Sequence, residues 1–324
     1  MLPYVDPGLQ HRMKLERERS LARHGFRKVG STARPATDPD KVVEVLEQRG
    51  VDRAVLVGNV FSLGVQPNFD LAAALARGIN EATYEIWLRG RDRLRGSILI
   101  AQQDPDQAVD EIDRWGDNPA FVQVLMCSAS ESPFGRRAFH PIYEACVRHN
   151  LPIALHIGGE GAGISSPSTP VGHPNTFVEW YSALPQAYMA HLMSMVTEGV
   201  FERFPTLKVV LLEGGIAWLP HVTWRLTKNF KAVRAETPWL TKLPAEYIAE
   251  HFYLSTYPLE ELPGERALER VLGMENLANR VIFSTGYPYE EYGDPFEMVA
   301  GLPEDLKRKV MVENALSLYG DRLL

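Results

Sequence analysis

The chain has 324 residues, 45% of them apolar and 23% charged, which suits one large α/β domain with a sizeable buried core. Its formal net charge of −7 argues against a nucleic-acid partner, because no basic face is implied. Its two cysteines, Cys127 and Cys146, exclude a disulfide framework and a cysteine-rich zinc site, and we expect both in the core. No apolar run approaches the ~18 residues of a membrane span, and the N-terminal segment lacks the apolar stretch of a secretory signal. We therefore expect a cytoplasmic protein with no membrane partner.

Residues 1–40 are predicted to form an N-terminal extension of helix and loop. The run Arg12–Arg19 interleaves basic with acidic residues, a pattern typical of a solvated helix face rather than of a phosphate-binding stripe. Phe26–Val29 is the one candidate strand in this extension. Residues 41–324 are predicted to form the main domain, a (β/α) barrel.

From residue 41 onwards, short apolar runs alternate with segments of helical periodicity. Strands are predicted at Ala54–Val57, Arg95–Ile100, Phe121–Met126, Ile153–Ile157, Leu207–Leu212, Phe252–Thr256 and Val281–Ser284. Helices are predicted at Leu71–Trp87 (with Asp70 as a candidate cap), Gln107–Trp115, Pro141–Arg148, His191–Phe204, Trp218–Lys231 and Leu306–Tyr319. Seven strands alternating with helices favour a parallel sheet with right-handed crossovers. The predicted fold class is therefore α/β, a (β/α)8 TIM-barrel-like architecture whose first strand is missing or altered.

Three polar side chains are predicted to be metal ligands. His156 and Glu213 each end an apolar strand, where barrel enzymes carry their active sites, and His191 follows the apolar run Tyr188–Ala190 at the predicted start of a helix. Together they could hold one divalent ion, either zinc, iron or manganese. A buried carboxylate costs free energy unless it is paired or bound to a metal. The alternative, in which no ion is bound, makes both histidines hydrogen-bonded core residues and pairs Glu213 with an arginine or backbone amides.

The loops around the predicted barrel mouth contribute candidates for binding a substrate. His173 lies on the long Gly/Ser/Pro loop after the His156 strand, and Tyr287 and Tyr289 follow the last strand. Just before these tyrosines stands Gly286, which cannot ligate a metal or move a proton. A hydrolytic metal site usually adds a His-x-His pair and an aspartate, and none of the nine histidines lies in such a pair.

Several motifs point to a known family: Asn68–Ala72, Arg93–Gly96, Leu151–His156, Glu198–Pro205 running into Leu207–Trp218, and Glu313–Ala315 followed by Leu318–Gly320. From about Asp52 to its end, the chain resembles the amidohydrolase-2 family, the metal-dependent group around aminocarboxymuconate-semialdehyde decarboxylase. The resemblance implies a barrel of the amidohydrolase type with His156 as a ligand on the fifth strand. It also places Glu213 on the sixth strand, where many relatives carry histidine.

The same resemblance implies that the metal site is incomplete. The family's last strand usually continues as Ser-(Ser/Thr)-Asp-Tyr-Pro-His, whereas residues 284–289 read Ser-Thr-Gly-Tyr-Pro-Tyr, so the aspartate and the histidine are both replaced. The family's first strand carries His-x-His and precedes a segment resembling Leu2–Tyr4. That strand is therefore expected to be absent.

Three functions follow as hypotheses. We favour a non-catalytic, accessory subunit in a hetero-oligomer with an intact amidohydrolase-fold paralogue. The chain is similar in this respect to the α-aminoisobutyrate hydroxylase pair, in which a degenerate paralogue accompanies a subunit holding a dinuclear iron or manganese site. The alternative is a metal-dependent hydrolase or decarboxylase that acts on a small molecule through the reduced mononuclear site described above. The third is a small-molecule binder whose barrel mouth is lined by Trp180, Tyr181 and Trp218.

Overall fold

The computed structural model describes residues 36–58, 63–264, 266–289 and 292–324. Its centre is one curled sheet of seven strands that follow one another in chain order, with every neighbouring pair parallel. The strands are β1 (Ala54–Val55), β2 (Leu94–Leu99), β3 (Phe121–Cys127), β4 (Ile153–His156), β5 (Val209–Leu212), β6 (Phe252–Ser255) and β7 (Val281–Ile282). The prediction of an α/β fold with seven parallel strands is confirmed, and each observed strand overlaps its predicted segment.

Helices connect the strands and pack outside the sheet. The α-helices are α1 (Pro39–Gln48), α2 (Phe69–Ala82), α3 (Pro105–Trp115), α4 (His140–Arg148), α5 (Phe177–Ala183), α6 (Pro185–Thr197), α7 (Val200–Arg203), α8 (Leu219–Val233), α9 (Pro244–His251), α10 (Ala267–Leu272), α11 (Pro295–Ala300), α12 (Glu304–Arg308) and α13 (Asn314–Tyr319). Wider π-helical turns extend α2 over Thr83–Leu88 and join α12 to α13 over Lys309–Glu313. Short 3-10 turns lie at Leu63–Val65, Arg137–Phe139, Arg234–Glu236, Leu277–Asn279 and Gly320–Arg322.

Three helices differ from their predictions, and the last of them, predicted as Leu306–Tyr319, is divided by the π-helical turn Lys309–Glu313. The cap of α2 is Asn68, whose side-chain oxygen accepts the N–H of Leu71 at 2.8 Å, so Asp70 lies inside the first turn instead. The segment predicted as one helix from His191 is divided into α6 and α7, because Gly199 between them adopts a φ of 75°. His191 is consequently in the interior of α6 and does not begin a helix.

Alternate residues of the strands pack into two separate apolar clusters. Ile153 and Leu155 of β4 belong to the large cluster beneath the helices. Ala154 of the same strand belongs to a smaller cluster on the concave side of the sheet, together with Val210 of β5 and Tyr253 of β6. Because side chains alternate along a strand, residues with the parity of Ala154 point towards the barrel interior.

The two ends of the sheet do not meet within the described residues. Neither β1 nor β7 has more than two residues, and no pairing joins them there. The outer edge of β7 is covered in part by the C-terminal segment: Phe283 donates its N–H to Val310 (2.9 Å), and the Asn314 amide donates to Val281 (2.7 Å). The described residues thus form seven strands of the predicted eight-stranded barrel rather than a closed one.

Several predictions concern residues outside the described ranges. The candidate strand Phe26–Val29 and the charged run Arg12–Arg19 both lie there. Helix α1 begins at Pro39, and the proposed boundary between an extension (1–40) and the barrel (41–324) stays a prediction. Over the residues that are described, no helix combines the length and the apolar composition that crossing a bilayer demands.

Candidate active site

His156 points into the barrel at the carboxyl end of β4. It has the parity of Ala154, and 7% of its side chain is exposed, as the sequence predicts for a residue at the barrel mouth. Nδ1 lies 2.6 Å from the carbonyl oxygen of Ile157, so this nitrogen carries a proton and donates it in a hydrogen bond. The other nitrogen, Nε2, faces the end of the neighbouring strand.

Glu213 follows β5 and brings its carboxylate to that nitrogen. The distance from Glu213 Oε1 to His156 Nε2 is 3.3 Å, and 29% of the Glu213 side chain is exposed. The backbone of Glu213 has a φ of 60°, which turns the chain sharply at the end of the strand. Its N–H donates to the hydroxyl of Ser255 at the end of β6 (3.1 Å), so three adjacent strands fix the position of this carboxylate.

The turn after Glu213 is stabilised by a second carboxylate. Glu260 accepts the N–H groups of Ile216 and Ala217 at 2.9–3.1 Å. Gly215 lies against it with a φ of 66°, and a Cβ there would come within 2.6 Å of the Glu260 carboxyl carbon. Glycine at this position is therefore a requirement of the turn that presents Glu213.

Tyr188 holds the two strand ends together, and sequence reasoning did not identify it. Its buried hydroxyl lies 2.9 Å from the carbonyl oxygen of Leu155 and 2.5 Å from that of Leu212. These residues immediately precede His156 and Glu213. Burial raises the pKa of the Tyr188 hydroxyl well above its usual value, so the group stays neutral. A tyrosine inside an apolar helical run was the available signal, since a buried hydroxyl needs a polar partner.

The electrostatics of the pair favour a proton on His156. Burial by itself lowers the pKa of His156, but hydrogen bonding to Glu213 and the negative charge of that carboxylate outweigh it. The Ile157 carbonyl acts in the same direction, and the net effect is a raised pKa. The pair can therefore hold a proton to higher pH than a solvated imidazole does.

His191 is placed differently from the prediction that made it a ligand. Its Nδ1 accepts the N–H of Phe134 at 3.2 Å, and its Nε2 donates to the carbonyl oxygen of Ser128 at 2.7 Å. Its ring stacks on that of Phe134 with the centroids 3.9 Å apart. Burial lowers the pKa of His191 to about 4. Both nitrogens of this neutral ring are used by backbone groups, which leaves no lone pair for a metal.

The donors available to a divalent ion are consequently few. His156 and Glu213 supply two, whereas protein zinc sites ordinarily have at least three protein ligands. Within the described ranges, no group of three or more His, Cys, Asp or Glu side chains is arranged to hold a metal ion. This part of the chain does not assemble the predicted three-ligand set, and its residues alone do not fit a resident divalent ion.

Glu160 anchors the loop that follows β4, and sequence reasoning did not identify it either. Both of its carboxylate oxygens lie 3.0 Å from the N–H of Gly158, and the hydroxyl of Ser128 donates to one of them. Burial raises the pKa of Glu160. Its carbonyl oxygen accepts the indole N–H of Trp180 at 3.2 Å, which attaches α5 to the loop.

The aromatic residues predicted at the mouth have two different surroundings. Trp218 is buried in the main core and donates its indole N–H to the carbonyl oxygen of Gly214 at 2.9 Å. Tyr181 stacks on Tyr292 with the ring centroids 5.2 Å apart and the planes nearly parallel. Burial, reinforced by the charge of Glu213, raises the pKa of Tyr181. Tyr181 is thus partly buried at the edge of the main core, where it packs against Tyr292, whereas Trp218 is buried within that core.

The residues predicted to bind substrate lie on the rim loops. His173 is exposed between β4 and α5, and Tyr287 is 39% exposed after β7. Tyr289 is partly buried, and its carbonyl oxygen accepts the hydroxyl of Tyr257 at 3.0 Å. A role in substrate binding stays a prediction for all three.

Gly286 faces an aromatic ring. A Cβ built at this position would overlap the Tyr257 ring, with Cζ at 2.9 Å and Cδ1 at 3.0 Å. The N–H of Tyr257 donates to the hydroxyl of Ser284 at 2.9 Å, which ties the loop after β6 to the end of β7. The space beside Gly286 is therefore filled by a side chain from the neighbouring loop.

A cavity of about 670 Å³ reaches the pair from the side of the sheet between β1 and β7. His156, Glu213, Ser255 and Ser284 are among the polar residues that line it. Apolar side chains line most of the remainder, among them Val55, Val57, Ile282, Met311, Val312 and Leu316. The volume is in the range of small-molecule sites.

A sequence model of the amidohydrolase family (Amidohydro_2) matches residues 11–320 of the chain. The chain belongs to this family. The resemblance inferred from the motifs is thereby confirmed at the level of the family.

Several proteins of similar sequence are decarboxylases. Gamma-resorcylate decarboxylase from Polaromonas sp. strain JS666 is 23% identical over 298 residues, which cover 86% of each chain. The 2-amino-3-carboxymuconate-6-semialdehyde decarboxylase of Dictyostelium discoideum is 23% identical over 304 residues, 91% of this chain and 79% of that one. In fold, the chain is similar to the dihydroxybenzoic acid decarboxylase of Polaromonas sp. JS666, whose crystal structure contains manganese and the inhibitor 2-nitroresorcinol (TM-score 0.70, 21% identity, 87% of this chain and 86% of that one).

Proposed function

We propose that this amidohydrolase-family protein is a carbon–carbon lyase of the decarboxylase type that acts on a small carboxylated aromatic compound. The observation that carries the proposal is the geometry of one pair: buried His156 and the more exposed Glu213 meet at 3.3 Å at the mouth and line one cavity. Similarity to decarboxylases over most of the chain supports the choice of reaction.

In this proposal His156 is the general acid. Decarboxylation needs a proton at the carbon that loses the carboxylate, and an imidazolium stabilised by Glu213 can supply it. The substrate carbon takes a proton from His156 Nε2 and uses a π electron pair of the ring to bind it. The bond to the carboxylate carbon then breaks, and its electron pair restores the π bond of the ring as CO2 leaves. Water then returns a proton to His156. The balance is one arenecarboxylate and one proton consumed, one arene and one CO2 released.

A divalent ion at this mouth would polarise the oxygen atoms of the substrate. His156 and Glu213 are the described residues that would contact it, and His156 could do so only after losing the proton on Nε2. Because they supply only two donors, no step of the proposed reaction runs through an ion. The rim residues His173, Tyr287 and Tyr289 are proposed to contact the substrate.

The test is CO2 release from gamma-resorcylate and its positional isomers by the purified full chain. We expect His156→Asn to lower kcat/KM by about 10²-fold or more, the usual scale for removing a general acid. Glu213→Gln should lower it less, because the imidazole remains. His149→Asn is the matched control, since His149 lies outside this site and contacts Asp113 and Asp117 on the surface. Undiminished turnover in His156→Asn would contradict the mechanism, and no turnover of any carboxylated aromatic would contradict the function.

A second candidate is the accessory subunit in a hetero-oligomer with an intact amidohydrolase paralogue. This candidate is favoured by the side of the sheet between β1 and β7. The two strands there have only two residues each, and the cavity begins between them. Val312 and Leu316 on the C-terminal segment are 49% and 37% exposed there, as a covering partner would require.

Copurification distinguishes the two candidates. The tagged chain, expressed in its native host, should bring down an amidohydrolase paralogue in fixed stoichiometry, with turnover confined to the complex. A monodisperse single chain with its own turnover would eliminate the accessory role and support the lyase.

A further inference from the structure

The ring of Tyr257 occupies the volume into which any side chain at position 286 would extend. The overlap of a built Cβ involves three atoms of one ring edge, Cε1, Cζ and Cδ1, so it is not a contact with a flexible chain end. Tyr257 is 2% exposed, which leaves its ring little room to move aside.

Hydrogen bonds fix that ring at both ends. At the backbone, the N–H of Tyr257 donates to Ser284. At the far end, its hydroxyl donates to the carbonyl oxygen of Tyr289 at 3.0 Å and accepts the N–H of Tyr292 at 3.2 Å. The ring thus bridges the loop after β6 and the loop after β7.

These two loops adjoin the pair that offers donors to a cation. Ser255 at the end of β6 accepts the N–H of Glu213, and Ser284 and Thr285 line the same cavity as His156 and Glu213. Position 286 directly follows Thr285 in the sequence, so a carboxylate side chain there would start from the residue next to this lining. The ring of Tyr257 stands where its first carbon would be.

We propose that Tyr257 takes the place of a metal-ligating side chain on the loop after β7. Among the described residues, His156 and Glu213 then remain a pair of donors, and the chain purifies without a bound divalent ion, in contrast to the manganese-containing decarboxylase of similar fold. Tyr257 and Gly286 act as a matched couple: the ring excludes a side chain, and the glycine admits the ring.

Thermal unfolding of a double-mutant cycle tests the couple. Gly286→Ala alone should lower Tm by roughly 5 °C, because the added methyl group would overpack the space that the Tyr257 ring fills. In a Tyr257→Ala background, the same substitution should leave Tm nearly unchanged, because the overlap is gone. Equal shifts in the two backgrounds would overturn the proposal.

Metal content provides an independent readout that does not involve turnover. Wild-type protein incubated with excess Mn²⁺ and then desalted should retain far less than one ion per chain by plasma mass spectrometry. The double variant Gly286→Asp/Tyr257→Ala should bind Mn²⁺ about tenfold or more tightly than its matched control, Gly286→Asn/Tyr257→Ala, by calorimetry, since carboxylates suit manganese. One tightly held ion per wild-type chain, or equal affinities in the two double variants, would overturn the proposal whether or not the lyase activity is found.

Discussion

The middle of the sheet and its two ends are built very differently. Strands β2 to β6 have four to seven residues each, and all seven residues of β3 are buried. Strands β1 and β7 have two residues each, and the residues of β1 are only partly buried. The middle positions His156 and Glu213 through packing on both faces. The side between β1 and β7 is left with a cavity and exposed apolar groups, where a partner or ligand could add packing.

The two regions differ in how firmly their strand ends are held. Tyr188 and Ser255 fix the ends of β4, β5 and β6 to one another, so the His–Glu pair is held by neighbours that are themselves buried. At the other side, the edge of β7 depends on the C-terminal segment through Val310 and Asn314. Substitutions in the two regions should therefore differ in their effect on the free energy of unfolding.

The greatest loss of free energy of unfolding is expected for a leucine in the middle of the sheet, compared with a leucine beside β7. Leu254 in β6 is fully buried, and Leu254→Ala should lower the free energy of unfolding by about 3 kcal/mol, from lost burial and a cavity. Leu316, 37% exposed beside β7, is the matched site, and Leu316→Ala should cost less than about 1 kcal/mol. Urea unfolding of both variants measures the contrast. Similar losses would show that the side between β1 and β7 is as tightly packed as the middle.

The next effect is the pH dependence of stability that His191 contributes. The pKa of this buried ring is about 4, below the ordinary value near 6.5, so the unfolded chain takes up the proton more readily. Its contribution is fully present above pH 6.5 and is lost as the pH falls towards 4, by roughly 3 kcal/mol.

His191→Gln isolates that contribution from those of the other histidines. The variant should be less stable at pH 7, yet its stability should fall less steeply between pH 6.5 and 4. An unchanged slope in urea unfolding series over this range would mean that His191 is protonated in the folded protein, contrary to its contacts with Phe134 and Ser128.

A smaller loss is expected from Tyr188→Phe. The substitution removes the hydroxyl that lies between Leu155 and Leu212 and leaves two buried carbonyl groups without it, at a cost of about 1–2 kcal/mol. Tyr287→Phe, at an exposed position, is the control and should change stability by no more than about 0.5 kcal/mol. Chemical denaturation gives both values, and equal values would deny Tyr188 its bridging role.

The smallest effect on stability should come from a charge on the exposed side. Val312→Asp places a carboxylate on a residue that is 49% exposed, and the monomer should lose less than about 0.5 kcal/mol. If a partner covers this side, light scattering after size exclusion should show that the variant no longer associates. Association identical to that of the wild type would place any partner elsewhere.

The predictions from sequence agree best with the structure in the middle of the sheet, where the strands are buried on both faces. Apolar runs such as Phe121–Met126 and Ile153–Ile157 identified the middle strands, because burial on both faces leaves a local signature. His156 and Glu213 were identified because they end such runs. The helix from His191 was wrong in its bounds, since Gly199 interrupts it, and Asp70 was wrong as a cap because Asn68 lies two residues earlier.

The amino-acid sequence alone was enough to predict the family, the order of seven parallel strands, and the polar residues that end two of them. The three-dimensional structure was needed to show that backbone groups occupy both ring nitrogens of His191 and that Tyr188 spans two strand ends. It was also needed to show that Tyr257 fills the space beside Gly286. The physical reason is distance along the chain. Strand formation follows from the pattern of neighbouring residues, whereas each of these contacts joins side chains to groups about 24 to 63 residues away, whose meeting depends on how the sheet curls.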